Sequence, residues 1–184
     1  MDKSVNFLKN AIKGKNVGAV SRSSRYVIKE VLKNIDDTKL DVVVEFGPGD
    51  GVLTTELLKK VSDKGKLYAV ELDSNFVKEL RKIKDDRLVV IEEKMEVVAK
   101  HPYKYGIKKA DLVVSSIPFT FINKKDREGV VGEVNKMLSS HGQFIIFHQY
   151  SLLMYRLLKK YFRDTDNYFE PRNILPCFIM VARK

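Results

Sequence analysis

Little in this 184-residue chain could tie it together covalently or carry it across a membrane. It has one cysteine, Cys177, which excludes an internal disulfide framework and a cysteine-rich metal site. No uninterrupted apolar run approaches the roughly 20 residues of a membrane span. The first residues lack the apolar core and small-residue cleavage site of a secretion signal. Internal repeats, low-complexity tracts and composition-biased linkers are missing as well. These absences lead to the expectation of a cytoplasmic protein with a single domain over 1–184, long enough to bury a full core. Acid is also scarce: 24 Asp and Glu face 34 Lys and Arg, a formal net charge of +10. Either the lysines simply solvate the surface, or the chain is drawn to polyanions such as nucleic acid or an anionic membrane.

What is present is organised around Val42-Val43-Val44-Glu45-Phe46-Gly47-Pro48-Gly49-Asp50-Gly51. A β-branched run fit for a strand buried on both faces ends in a carboxylate, a glycine-dense turn and a helical pattern over Val52–Leu58. Further strands are expected at 67–70, 88–91, 111–114 and 143–148. A last one is expected over 173–182, with a short partner near Tyr168-Phe169. Helices are expected at 1–14, 26–32, 74–83, 127–138 and 151–162, with a loop at 63–66 and a turn at 139–142. Strands alternating with helices at this spacing predict an α/β fold with a mostly parallel, doubly wound sheet. Residues 1–14 read either as a basic interfacial helix lying on anionic lipid or as a helix packed on the domain. Ser24 is either the N-cap of the next helix or part of a ligand-contacting loop.

The glycine spacing decides between ligands. A dinucleotide turn is G-x-G-x-x-G, whereas Gly47, Gly49 and Gly51 form G-x-G-x-G. Glu45 ends the first strand and Glu71 the second, where a carboxylate can accept hydrogen bonds from both ribose hydroxyls.

These residues resemble motif I and motif II of class I S-adenosylmethionine-dependent methyltransferases, the second in Tyr68-Ala69-Val70-Glu71-Leu72-Asp73. The resemblance implies a Rossmann-like fold: a mostly parallel seven-stranded sheet, helices on both faces, an antiparallel C-terminal strand, and an N-terminal helical segment (1–35) covering the cofactor site. It implies S-adenosyl-L-methionine as cofactor, held by Ser24, Glu45, Gly47, Pro48, Gly49, Gly51, Glu71, Leu72 and Ser115, and implies no metal. Lys94 and Met95, after the third strand, are favoured by register for the adenine contact, against an ordinary loop there.

Ser116-Ile117-Pro118-Phe119, directly after the fourth strand, is similar to motif IV of amino-group methyltransferases. Two families come closest. One is the rRNA adenine dimethylases, whose tetrapeptide usually starts with asparagine; the other is the small phospholipid N-methyltransferase-like proteins. Three stretches resemble the second: Val17–Arg25, His148-Gln149-Tyr150-Ser151 and Asn173-Ile174-Leu175-Pro176-Cys177, with Leu175 and Cys177 as departures. No helical RNA-binding domain is expected after the catalytic one. The resemblance implies an N-methyltransferase acting on a phospholipid amine such as phosphatidylethanolamine, in peripheral contact with an anionic membrane. RNA adenine N6 and a small soluble amine stay open as acceptors, as does a non-catalytic adaptor. The catalytic residues so implied are Ser116, Pro118, Phe119, His148 and Tyr150. Phe119 would stack on the acceptor, and His148 or Tyr150 would take its proton.

Overall fold

The β-branched run of the first strand sets the centre of the sheet. The computed structural model describes residues 23–36, 40–119, 122–149, 151–173 and 175–184. Strand β1 (Leu40–Phe46) lies between β2 (Val61–Glu71) and β4 (Ala110–Ser115), parallel to both. Beyond them lie β3 (Leu88–Glu92) on one side and β5 (Leu138–Gln149), β7 (Cys177–Arg183) and β6 (Asp164–Glu170) on the other. The order is β3-β2-β1-β4-β5-β7-β6, and only β7 runs against the rest. The fold is therefore the seven-stranded Rossmann-like sheet with an antiparallel last strand.

Both faces are apolar because successive side chains point opposite ways. Val44, Phe46, Val113, Phe144 and Ile146 face one core. Helices α4 (Met95–Lys100), α5 (Lys124–Met137) and α6 (Leu153–Tyr161) cover it through Val98, Val130, Val134, Met154 and Leu158. Val43, Leu112, Val114, Ile145 and Phe147 face the other core. There α1 (Arg25–Lys33) and α2 (Val52–Leu58) add Val27, Val31, Leu53 and Leu57, and Ile83 packs from the turn after α3 (Ser74–Leu80). Each fully buried side chain of the size of Leu57 or Phe46 contributes about 1.5–3 kcal/mol.

Two strands begin earlier than the sequence indicates, for one physical reason. The loop expected at 63–66 belongs to β2, and the turn expected at 139–142 belongs to β5. In each, the register with the neighbouring strand shifts just where a glycine lies. A Cβ on Gly65 would come within 2.8 Å of the Asp41 carbonyl oxygen, and one on Gly142 within 2.9 Å of that of Ala110. These glycines let two backbones close in rather than turn. At the first irregularity the Asp111 carboxylate accepts the N–H groups of Asp41 and Val42, each at 3.0 Å.

Helix α4 and a following 3₁₀ turn (Pro102–Tyr105) lie in a stretch left without structure by the sequence reading. The last strand starts at Cys177 rather than at residue 173, because Pro176 has no N–H for the ladder. The helix expected at 1–14 lies outside the described residues, as does most of the segment expected to cover the cofactor site.

Candidate active site

The carboxyl ends of β1, β2 and β4 converge on the glycine turn. Gly47, Gly49 and Gly51 all have positive φ, at 73°, 58° and 79°. Only glycine adopts a run of such angles without strain. A Cβ on Gly47 would lie 2.9 Å from Ile117 Cγ1 and 3.0 Å from Ser116 Oγ, so the turn is pressed against the segment that follows β4. The Ser116 hydroxyl donates to the Gly47 carbonyl, and the Ser116 N–H donates to the Phe46 carbonyl at 3.1 Å. Over Gly49 a Cβ would meet nothing within 4 Å. The turn therefore has one packed flank and one open flank. Pro48 is buried, and its carbonyl accepts the Gly51 N–H at 3.1 Å.

Glu71 holds the open side in place. Its Oε2 accepts the Gly49 N–H at 3.1 Å, and its Oε1 accepts those of Leu72 and Asp73 at 2.8 and 2.9 Å. A carboxylate offers about four acceptor positions, so room remains for a hydroxyl donor. Beside it Leu72 is 62% exposed, an apolar plate at the rim. Glu92 pairs with Glu71 across the sheet, and the Glu93 N–H donates to the Glu71 carbonyl at 3.2 Å, which brings the Glu92–Met95 turn alongside. In that turn Lys94 is exposed, whereas the Met95 side chain is buried in the core, leaving its backbone as the part nearest the rim.

Glu45 points to the α2 face and is only 2% exposed. The Thr54 hydroxyl, one turn into α2, donates to it at 2.6 Å. Burial pushes its carboxyl up to about 8, the Thr54 hydrogen bond opposes this, and the charges of Glu71 and Asp50 add to it. Thr54 was not singled out from the sequence. Its signal was a hydroxyl on the first turn of the helix that follows the glycines.

At the end of β4, Ser115 is fully buried and its Oγ accepts the Ile117 N–H at 3.3 Å. Pro118 is half-buried. The Phe119 ring departs from expectation: it is fully buried and lies edge-on to Phe144 with centroids 6.4 Å apart. An apolar ring directly beyond a core strand drops beneath α5 and α6, so it backs the tetrapeptide from within and offers no stacking face to an acceptor. His148 belongs to β5, but its side chain, and all of Tyr150, fall outside the described residues.

The described residues of the three outlying stretches lie at this same edge. Ser24 caps α1, accepting the Val27 N–H at 3.3 Å, and its own N–H donates to Asn173 Oδ1 at 3.2 Å. Gln149, at the end of β5, pairs with Phe178 near the start of β7. Arg172 forks onto the buried Glu170 carboxylate with two 2.8 Å hydrogen bonds and lies 4.4 Å over the Tyr26 ring. Ser24 and Tyr26 are thus tied to Asn173 and Arg172.

Several methyltransferases are similar to this chain in sequence or in fold. A family model described as ribosomal RNA adenine dimethylase matches residues 22–155. An ornithine lipid N-methyltransferase of Singulisphaera acidiphila is 26% identical over 165 residues, 89% of this chain and 86% of that protein. A mitochondrial ribosomal RNA small subunit methyltransferase of Arabidopsis thaliana is 33% identical over 93 residues, 50% of this chain and 23% of that one. In fold, the N-methyltransferase NodS from Bradyrhizobium japonicum, solved with S-adenosyl-L-homocysteine, superposes with a TM-score of 0.74 at 10% identity, covering 100% of this chain and 99% of NodS.

Proposed function

The chain belongs to the ribosomal RNA adenine dimethylase family and is an S-adenosylmethionine-dependent methyltransferase; from that premise we propose that its acceptor is the amine of a membrane lipid headgroup, of the phosphatidylethanolamine kind, reached from an anionic membrane surface. One observation carries the choice of lipid over RNA. The likeness to a lipid N-methyltransferase extends over nearly the full length of both proteins, whereas the likeness to the ribosomal enzyme covers half of this chain and under a quarter of that protein. The carboxyl edge adds support: Phe169 and Leu175 stand 57% and 47% exposed there, and the Arg25 and Arg172 cations lie 5.0 and 4.4 Å over the Tyr26 ring. Among the described residues no helix is long and apolar enough to cross a membrane, so contact would be peripheral.

The residues present fit the cofactor. The open flank over Gly49 leaves space for its methionine and ribose portion, Glu71 has acceptor capacity left for ribose hydroxyls, and Leu72 would cover one face of the adenine. Lys94 and the Met95 backbone would meet the adenine edge. Ser24 would approach from the α1 side. When bound, S-adenosylmethionine supplies a methyl group on a positively charged sulfur. Displacement at that carbon needs an aligned nitrogen lone pair and a site clear of water. The carbonyl oxygens of Ser116, Ile117 and Pro118 would accept the amine's N–H groups, while the Ser116 hydroxyl, already donating to Gly47, fixes the distance between acceptor and donor sites. A lipid amine arrives protonated, and His148 or Tyr150 would take that proton or pass it to water.

Adenine N6 in RNA is the second reading, favoured by the family match itself. A labelled-methyl assay offering lipid extract, RNA and polyamines side by side separates the readings. Label in the lipid fraction is the expected result, and label confined to RNA would replace this proposal with the second.

A further inference from the structure

Helix α5 follows the Ser116–Phe119 tetrapeptide, and α6 follows the end of β5, so both begin at the edge that carries the glycine turn. Between them runs a groove of about 200 Å³ lined by Lys124, Arg127, Glu128, Arg156 and Lys160, with Leu153 and Leu157 as its apolar part. Four cations thus face a single carboxylate. Among the described residues none of these cations makes an ion pair or a side-chain hydrogen bond, and the Nη1 of Arg127 is buried with no acceptor. A buried guanidinium N–H without an acceptor is a standing loss of free energy that an incoming oxyanion would remove.

The groove's size and lining identify the kind of oxyanion. At about 200 Å³ it is smaller than the roughly 300–1,000 Å³ of pockets that enclose whole small molecules, so it suits the charged end of a larger one. None of its lining residues is aromatic, so it has no platform on which a base could stack. Leu153 in its lining and the preceding Leu152 are 47% and 43% exposed. Cations and leucines side by side match the boundary between lipid headgroups and acyl chains.

We propose that this groove is the oxyanion subsite for the lipid acceptor. It takes the headgroup phosphate, or the carboxylate of an amino-acid lipid, while Leu152 and Leu153 enter the apolar boundary and the amine reaches Ser116–Phe119. This inference rests on the lipid-amine reading above.

The test uses the full chain and the double variant Lys124→Glu/Arg156→Glu. Both positions are exposed, and neither touches the glycine turn. A second double variant, Lys29→Glu/Lys33→Glu on α1, makes the same change in net charge on the opposite face. Flotation with vesicles of phosphatidylglycerol and phosphatidylethanolamine should weaken by about tenfold or more in the groove variant. The α1 variant should change it much less, and S-adenosylmethionine binding by calorimetry should stay as in wild type. Inorganic phosphate should compete with the vesicles only at high concentration, since it lacks the apolar anchor. Equal flotation of the two variants, or a groove variant that loses only RNA binding, overturns the proposal. Methyl transfer to phosphatidylethanolamine with an unchanged KM in the groove variant overturns the groove and leaves the acceptor reading standing. No transfer by wild type to any amine lipid overturns both.

Discussion

The Glu45 carboxyl offers a sharp test of the site's electrostatics. It is raised from 4.5 to about 8, first by burial, and the Thr54 hydroxyl donates a hydrogen bond to it. The linkage then has a definite sign. Between pH 4.5 and 8 the folded protein holds a proton at Glu45 that the unfolded chain has released. The stability that this proton gives is complete below about 4.5 and is lost as the pH rises through 8. Each pH unit inside the window removes about 1.4 kcal/mol. From pH 5 to pH 8 the loss approaches about 4 kcal/mol, a large part of a domain's usual stability. The carboxyls that are held low do not blur the reading. Asp85, lowered to about 2 by its hydrogen bonds from Arg87, and Glu170, lowered by those from Arg172, lose their contributions only as the pH falls below their ordinary range. Urea unfolding of the cofactor-free protein in half-unit steps from pH 5 to 8.5 measures the slope. Glu45→Gln keeps the shape and the acceptor for Thr54 but cannot titrate, so its profile should be flatter by about 1 kcal/mol per unit. Parallel profiles for the two proteins would refute the buried, protonated Glu45.

Two further outcomes follow from the geometry. Glu71→Ala releases the Gly49, Leu72 and Asp73 N–H groups together, so calorimetry should show S-adenosylmethionine affinity lost by about two orders of magnitude or more, with Tm moved much less. Phe119→Ala removes a fully buried ring beside Phe144 and should destabilise the fold by about 3–5 kcal/mol in chemical denaturation; Phe119→Leu, which keeps most of the volume, should restore stability and leave the acceptor KM near wild type.

What could be read from the sequence was what chemistry or period makes local. The β-branched run, the glycine spacing and the carboxylates that end β1 and β2 each announce themselves within a few residues, and the sheet places them together. The starts of β2 and β5 were hidden because Gly65 and Gly142 look like turn residues, yet serve the close approach of two backbones. Helix α4 is six residues long, too short to show a helical stripe. Phe119 was legible as part of a tetrapeptide but not as a core residue, since its direction depends on α5 and α6 closing over it. The cationic groove was beyond reach, because its two walls come from helices separated by the whole of β5.

The contact of Gly47 with Ile117 and Ser116 bears on how such an enzyme can change its substrate. The glycine turn and the segment that follows β4 are packed into one body. A substitution that reshapes Ser116–Phe119 should therefore shift the glycine turn too, and alter the Kd for S-adenosylmethionine along with the KM for the proposed amine acceptor. Redirecting the enzyme to a new acceptor would demand paired changes on β1 and β4. The groove between α5 and α6 is built from other residues, and changes there leave the Gly47–Ser116 contact in place.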